Sequence, residues 1–225
     1  MGQHPGIAER ESPNLFIAEP AGAPGAPRVV IAPEIFGLTP WIKSVARRLA
    51  REGFRAVAPE IFAGAEPIGP DRASWMQRIR NLDVPQTVRL LRSSLGEIEG
   101  PGESASIGFC LGGALSLMAA AEGGLSACVD CYGRPRWLEG MTAENPIDAA
   151  KRIGCPVLGV YGKRDPGIPV EAAEELGRAL PRGSELVFYE AGHAFLNDTR
   201  PDMYVAGEAE KAWAKIIGFL RRNLS

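Results

Sequence analysis

The sequence predicts an α/β protein with a mostly parallel, doubly wound sheet and helices on both faces. Three observations carry that expectation. Short apolar runs alternate with helical patterns from residue 28 onward. The runs, such as RVVIAPE and CPVLGVYG, are near-continuously apolar, as strands buried on both faces must be. Finally, 225 residues with 45% hydrophobic and 23% charged side chains can bury a core without disulfides or structural metal.

Residues 1–27 end in the Pro- and Gly-rich stretch EPAGAPGAPR and read as a peripheral arm or edge hairpin. RVVIAPE (28–34) is a strand, followed by a helix with Thr39 as N-cap, Pro40 at its first position and Gly53 past its end. Ile42, Val45 and Leu49 fall on one face of that helix. FRAVAPEIF (54–62) is the next strand. The segment 71–98 is helical, with Val84, Val88, Leu91 and Leu95 at helical spacing and Pro85 marking a break or a start. A strand SASIGFC, a small-residue helix from Leu111 to about Glu122, and the strand LSACVDCYG come next. CPVLGVYG (155–162), a helix near 169–180, the strand ELVFYE (185–190) and a helix over about 202–222 complete the chain. With no internal repeat and no long linker, residues 1–225 are expected to form a single domain.

Composition excludes several function classes. Lys+Arg 25 against Asp+Glu 27 gives a net charge of -2 with no basic block, so no nucleic-acid partner is expected. The start, MGQHPGIAERESPNLF, lacks a basic n-region and an apolar h-region, and no stretch approaches the ~20 apolar residues of a membrane span. The expectation is a cytoplasmic protein, monomeric by default, without a membrane partner. Cys128 and Cys131 match C-x-x-C but lie in a strand rather than at a helix N-terminus, so with Cys155 they read as buried structural thiols. Four cysteines and two histidines make a poor zinc set; neither metal nor cofactor is expected. One histidine, His4, is near the terminus, so an imidazole base must be His193.

In such sheets functional groups gather where strands end. IGFCLGGALSLM ends a strand, turns at Cys110 between Gly108 and Gly112, and opens a helix, which is the setting of a nucleophile elbow. The helix N-terminus favours the thiolate, and the backbone N–H of Leu111 faces a developing oxyanion. Glycines around a small thiol would also suit plain strand–helix packing. Asp165 follows the strand CPVLGVYG and His193 follows ELVFYE. Each alone could be a turn or loop residue, but nucleophile, acid and histidine in that order at three strand ends form the α/β-hydrolase triad.

The chain resembles the dienelactone hydrolase (carboxymethylenebutenolidase) family of α/β-hydrolases over about residues 14–222. The resemblance rests on APEIFGL (32–38), IGFCLGGAL (107–115), VYGKRDP and EAGHAFLNDTRP (190–201). It implies an α/β-hydrolase fold, Cys110 as nucleophile, His193 as base and Asp165 as its orienting acid. It further implies that Glu34 contacts the resting thiol until substrate displaces it, and that the backbone N–H of Ile35 is the second oxyanion donor. Tyr132 and Phe36 are implied at the substrate pocket. Glu34 could instead be a capping or ion-paired residue. The family holds a substrate carboxylate with two arginines: Arg72 matches one, whereas Asn197 fills the other position. Arg72 could equally be a surface arginine among Arg78, Arg80, Arg89 and Arg92. Ile79 and Cys131 replace pocket rings, and Trp75 and Met76 suit either pocket or core. The expected activity is hydrolysis of small lactones or carboxylic esters through a thioester acyl-enzyme. The alternatives are a thioesterase or general carboxylesterase on the same triad, and a binding protein that has lost turnover.

Overall fold

The computed structural model describes residues 6–98 and 100–224; His4 lies outside them. Eight strands form one sheet: β1 (Ile7–Ser12), β2 (Leu15–Pro20), β3 (Arg28–Ala32), β4 (Arg55–Pro59), β5 (Ser104–Phe109), β6 (Ala127–Cys131), β7 (Val157–Gly162) and β8 (Glu185–Tyr189). Their spatial order is β1-β2-β4-β3-β5-β6-β7-β8. The β1–β2 and β2–β4 pairs are antiparallel and the remaining pairs parallel.

β1 and β2 form an antiparallel hairpin at one edge of the sheet, with Ser12 paired to Leu15. β2 pairs on both sides and buries Phe16, Ile17 and Ala18, so it belongs to the sheet proper. β1, carrying Glu9, Arg10 and Glu11, takes the exposed edge, where charge discourages pairing with another chain. Arg47 to Glu9 at 2.9 Å and Lys43 to Glu11 at 2.6 Å tie that edge to helix α1 (Pro40–Arg51). Such partly exposed pairs each contribute at most about 1 kcal/mol.

Thr39 caps α1 and Pro40 opens it, while Trp41, Ile42, Val45 and Leu49 point into the core. With α7 (Ala206–Asn223), α1 covers one face of the sheet. Phe109 at the end of β5 packs between the two helices, 4.8 Å from the Trp41 ring and 6.1 Å from Trp213. The other face carries α3 (Val84–Ser94), α4 (Leu111–Ala121) and α6 (Val170–Ala179). The alternation within β4 follows: Ala56 and Ala58 face one core, Val57 the other.

The long helical segment is two helices. Asp71 caps α2 (Arg72–Arg80), and Asp83 caps α3, with Pro85 in its first turn, where a missing N–H costs nothing. Arg78 turns back from α2 to the carbonyls of Glu66 and Ile35, so it anchors that helix over the β3 loop rather than facing solvent. Between β6 and α6 lies the short helix α5 (Pro146–Ala149). No helix among the described residues is long and apolar enough to cross a membrane.

Candidate active site

The sharp turn after β5 is built from missing side chains. A Cβ on Gly108 would overlap the carbonyl of Gly112, and one on Gly112 would overlap the carbonyl of Ala32. Strand, turn and helix can therefore approach only if both are glycine. Cys110 occupies the apex with φ 56° and ψ -116°, directly before the first turn of α4. Its N–H donates to the Cys131 carbonyl at 3.0 Å, and the Gly113 N–H donates to its own carbonyl at 3.0 Å. Tyr132 (φ 46°) and Ala194 (φ 55°) are also left-handed. All three non-glycine residues with positive φ among those described thus flank the same strand ends, where strain is held by the surrounding fold.

Asp165 and His193 arrive from the loops after β7 and β8. Gly162 lets those loops meet, since a Cβ there would press on the carbonyls of Ala191 and Gly192. The Gly167 N–H donates to Asp165 Oδ1 at 2.8 Å, which aims Oδ2 at His193 Nδ1, 2.6 Å away. His193 Nε2 lies 3.1 Å from Cys110 Sγ. Burial works to lower the His193 pKa, but the Cys110 sulfur and the Asp165 hydrogen bond prevail and raise it from 6.5 to about 10. Imidazolium is the form this pair of neighbours favours.

The other thiols are chemically quiet. Burial pushes Cys128 up to about 12, Cys155 up to about 11 and Cys131 well above its ordinary value. All four cysteines are free. Cys128 and Cys131 are buried within β6. Among the described residues no group of three or more His, Cys, Asp or Glu is arranged to hold a metal ion.

Above Cys110 is a cavity of about 250 Å³, whose wall includes Glu34, Ile35, Phe36, Arg72, Leu111 and His193. Trp75, Met76 and Ile79 of α2 form part of that wall, so this helix serves pocket and core together. The turn bearing Ile35 and Phe36 is held by Glu60, which accepts the Leu38 and Phe62 N–H groups, each at 2.8 Å.

Two residues expected at the pocket lie elsewhere. Tyr132 is fully buried behind the cavity, its ring 5.3 Å from His193, and its hydroxyl has no hydrogen-bond partner among the described residues. Asn197 is also buried and outside the cavity wall; its Nδ2 donates to Glu34 Oε2 at 2.8 Å. Glu34 is therefore bonded to Asn197 rather than to the thiol. Burial raises its pKa, against the Asn197 hydrogen bond and the charges of His193 and Arg200.

Two arginines that sequence reasoning did not select do line the cavity: Arg134, after β6, and Arg200. Arg200 stands 5.7 Å from the Phe36 ring and 5.9 Å from Trp75. The signal for it was present, since Arg200 is in the EAGHAFLNDTRP motif, three residues beyond Asn197. Only the turn that brings the chain back over the cavity distinguishes the two positions.

Comparisons with known proteins agree with this architecture. The model of the dienelactone hydrolase family matches residues 14–224. A relative from Methylorubrum extorquens, provisionally named carboxymethylenebutenolidase, is 34% identical, with 92% of this chain and 76% of the relative covered. A carboxymethylenebutenolidase from Rhodococcus opacus is 30% identical, over 88% of this chain and 81% of its own length. The crystal structure of a provisionally named dienelactone hydrolase from Klebsiella pneumoniae superposes with a TM-score of 0.84 at 29% identity, covering 94% of this chain and 96% of that one. With four of its strand-end motifs meeting around one cavity and the family model spanning nearly the whole chain, the protein belongs to the dienelactone hydrolase family.

Proposed function

We propose that the protein hydrolyses small lactones or carboxylic esters through a Cys110–His193–Asp165 triad and a thioester acyl-enzyme. One observation carries the reading: an unbroken line of contacts, Asp165 Oδ2 to His193 Nδ1 at 2.6 Å and His193 Nε2 to Cys110 Sγ at 3.1 Å, opening on a cavity.

In the first half-reaction the Cys110 sulfur attacks the ester carbonyl carbon, and the carbonyl electrons move to oxygen. The backbone N–H groups of Leu111 and Ile35, both in the cavity wall, are the donors for that oxyanion. As the tetrahedral species collapses, the C–O bond breaks and His193 gives its proton to the leaving oxygen. In the second, His193 takes a proton from water while the water oxygen attacks the thioester. The carboxylic acid departs and the sulfur is restored. Asp165 keeps Nδ1 protonated and stabilises the imidazolium throughout.

The cavity favours a small substrate with an apolar body. Arg72, Arg134 and Arg200 line it, which favours an ester or lactone that also bears a carboxylate, because a guanidinium binds that group through paired N–H donors. The test is hydrolysis of p-nitrophenyl acetate and of a panel of lactones, thioesters and anionic esters by the parent, Cys110→Ala and His193→Ala. Each substitution is expected to lower kcat by roughly a thousandfold or more. Retention of the parental rate by Cys110→Ala would overturn the mechanism, and preference for thioesters would move the assignment to a thioesterase.

A further inference from the structure

Glu34 stands in a wall shared by two cavities. On one side it lines the cavity that holds Cys110 and His193; on the other it lines a cleft of about 390 Å³ with Thr39, Trp41, Asn197 and Thr199. Asn197 belongs only to the second side and Cys110 only to the first. Glu34 is 3% exposed as a residue, and its carboxyl is bonded toward the cleft through Asn197 Nδ2 at 2.8 Å.

The Asn197 amide is itself fixed. Its Oδ1 accepts the Thr199 backbone N–H at 3.1 Å and the Thr199 hydroxyl at 2.7 Å. A backbone N–H can only donate, so Oδ1 must face Thr199 and Nδ2 must face Glu34. The amide is also neutral. It binds the carboxyl without adding the positive charge that would draw Glu34 into ionisation, consistent with a pKa that burial raises.

The side taken by this carboxyl matters to the sulfur. Ionised beside Cys110, it would oppose a thiolate by like charge; protonated, it would donate to the sulfur and compete with His193. We propose that Asn197 is a positioning residue that holds the Glu34 carboxyl on the cleft side, so that Cys110 pairs with His193 without substrate having to displace Glu34. The inference rests on the reading of Cys110 as nucleophile. The charged groups acting on Glu34 are His193 and Arg200, Tyr132 also stands in its field, and Cys110 shares the cavity wall with it.

The experiment is the pH dependence of Cys110 alkylation by iodoacetamide in substrate-free protein, followed by mass spectrometry of the Cys110 peptide. It compares the parent with Asn197→Ala, Thr199→Val, Glu34→Gln and the Asn197→Ala/Glu34→Gln double variant, each checked for folding by circular dichroism. Asn197→Ala is expected to slow alkylation at pH 7 about tenfold and to move the profile up by about one pH unit. Thr199→Val should do the same to a smaller extent, and it keeps the test open should Asn197→Ala fail to fold. The double variant should recover the Glu34→Gln rate, because the freed carboxyl is gone. Parental profiles for Asn197→Ala and Thr199→Val would overturn the inference. So would a double variant as slow as Asn197→Ala, which marks a purely structural defect. Hydrolysis by Cys110→Ala separates the two levels: its persistence sinks the catalytic reading, whereas its loss together with unshifted alkylation profiles sinks only the role of Asn197.

Discussion

Asp165 Oδ2 lies 2.6 Å from His193 Nδ1, the carboxylate side chain 2% exposed and the imidazole 27% exposed. A buried anion thus meets a ring whose other edge is open to the cavity. An amide in place of the carboxylate could keep the shape while offering the ring an N–H, which favours the wrong tautomer. Asp165→Asn is therefore expected to lower kcat by on the order of a hundred- to ten-thousandfold with the fold intact. Steady-state kinetics beside a thermal melt checks this, and a loss below tenfold would remove Asp165 from the mechanism.

The raised His193 pKa sets a pH dependence with a definite sign. In the unfolded chain the imidazole loses its proton near 6.5, whereas in the fold it holds it to about 10. Across that window the folded protein binds more protons than the unfolded chain, so this group's stabilisation is complete below about 6.5 and falls as pH rises through 10. On the proposed mechanism the same deprotonation removes the acid that serves the leaving oxygen. kcat/KM is accordingly expected to decline on the alkaline side near pH 10. Urea unfolding between pH 6 and pH 10, for the parent and His193→Gln, should show the stability slope shrink in the variant. An unchanged slope would contradict the assignment.

How far the site was legible follows from where each residue's role is decided. Cys110, Asp165 and His193 could be read because each follows an apolar strand directly, and parallel strands bring their ends to one edge. Arg200 was harder to read: its motif was in view, but its place over Phe36 depends on a turn packed after His193, and no periodicity reports that. Tyr132 and Asn197 are next to the site in sequence, yet both are buried behind it, since adjacency does not tell the direction of a side chain leaving an irregular loop. The burial of β2 within the sheet was concealed for a related reason: a Pro- and Gly-rich stretch follows it, and its pairing with β4 is long-range.

The elbow makes a sharp structural prediction. A methyl group on Gly112 would strike the carbonyls of Ala32 and Pro33, which are backbone atoms of β3 and its loop and cannot yield separately. Gly112→Ala is expected to destabilise the fold by about 3 kcal/mol or more. Gly207, in the first turn of α7, is the control, because a Cβ there meets nothing within 4 Å. Gly207→Ala should be neutral or stabilising by up to about 1 kcal/mol. Equal melting temperatures for the two variants would mean that strand and helix are not packed as closely as described.

A buried carboxyl beside the site provides a second stability test. Asp130 is fully buried at the end of β6, where Oδ2 accepts the Tyr161 hydroxyl and Oδ1 accepts the Gly133 N–H at 2.8 Å. Burial, offset by these two bonds, raises its pKa to about 6. Asp130→Ala leaves both donors unpaired, and each buried unsatisfied group costs about 1–3 kcal/mol. The expected loss is therefore about 2–6 kcal/mol, with activity falling less steeply than in Asp165→Asn, since Asp130 does not touch the triad. A denaturant titration alongside kcat distinguishes a support for the Tyr132–Gly133 turn from a second catalytic acid.

Arg200 is the residue by which substrate charge can be tested. Its guanidinium lies against Phe36 and Trp75, 5.7 Å and 5.9 Å from the ring centroids, so aromatic faces orient it over the cavity. A substrate carboxylate held there gains a charge-assisted hydrogen bond of about 1.5–3 kcal/mol, which is roughly a ten- to hundredfold change in affinity. Arg200→Ala should raise KM by that factor for an ester bearing a carboxylate. For the neutral ester of the same length it should leave KM within about twofold, since only the charged group engages the guanidinium. Arg134→Ala and Arg72→Ala, measured on the same pair of substrates, rank the three arginines. If all three variants treat the charged and neutral esters alike, the cavity does not select for anions, and its arginines act only as solubilising groups at its mouth.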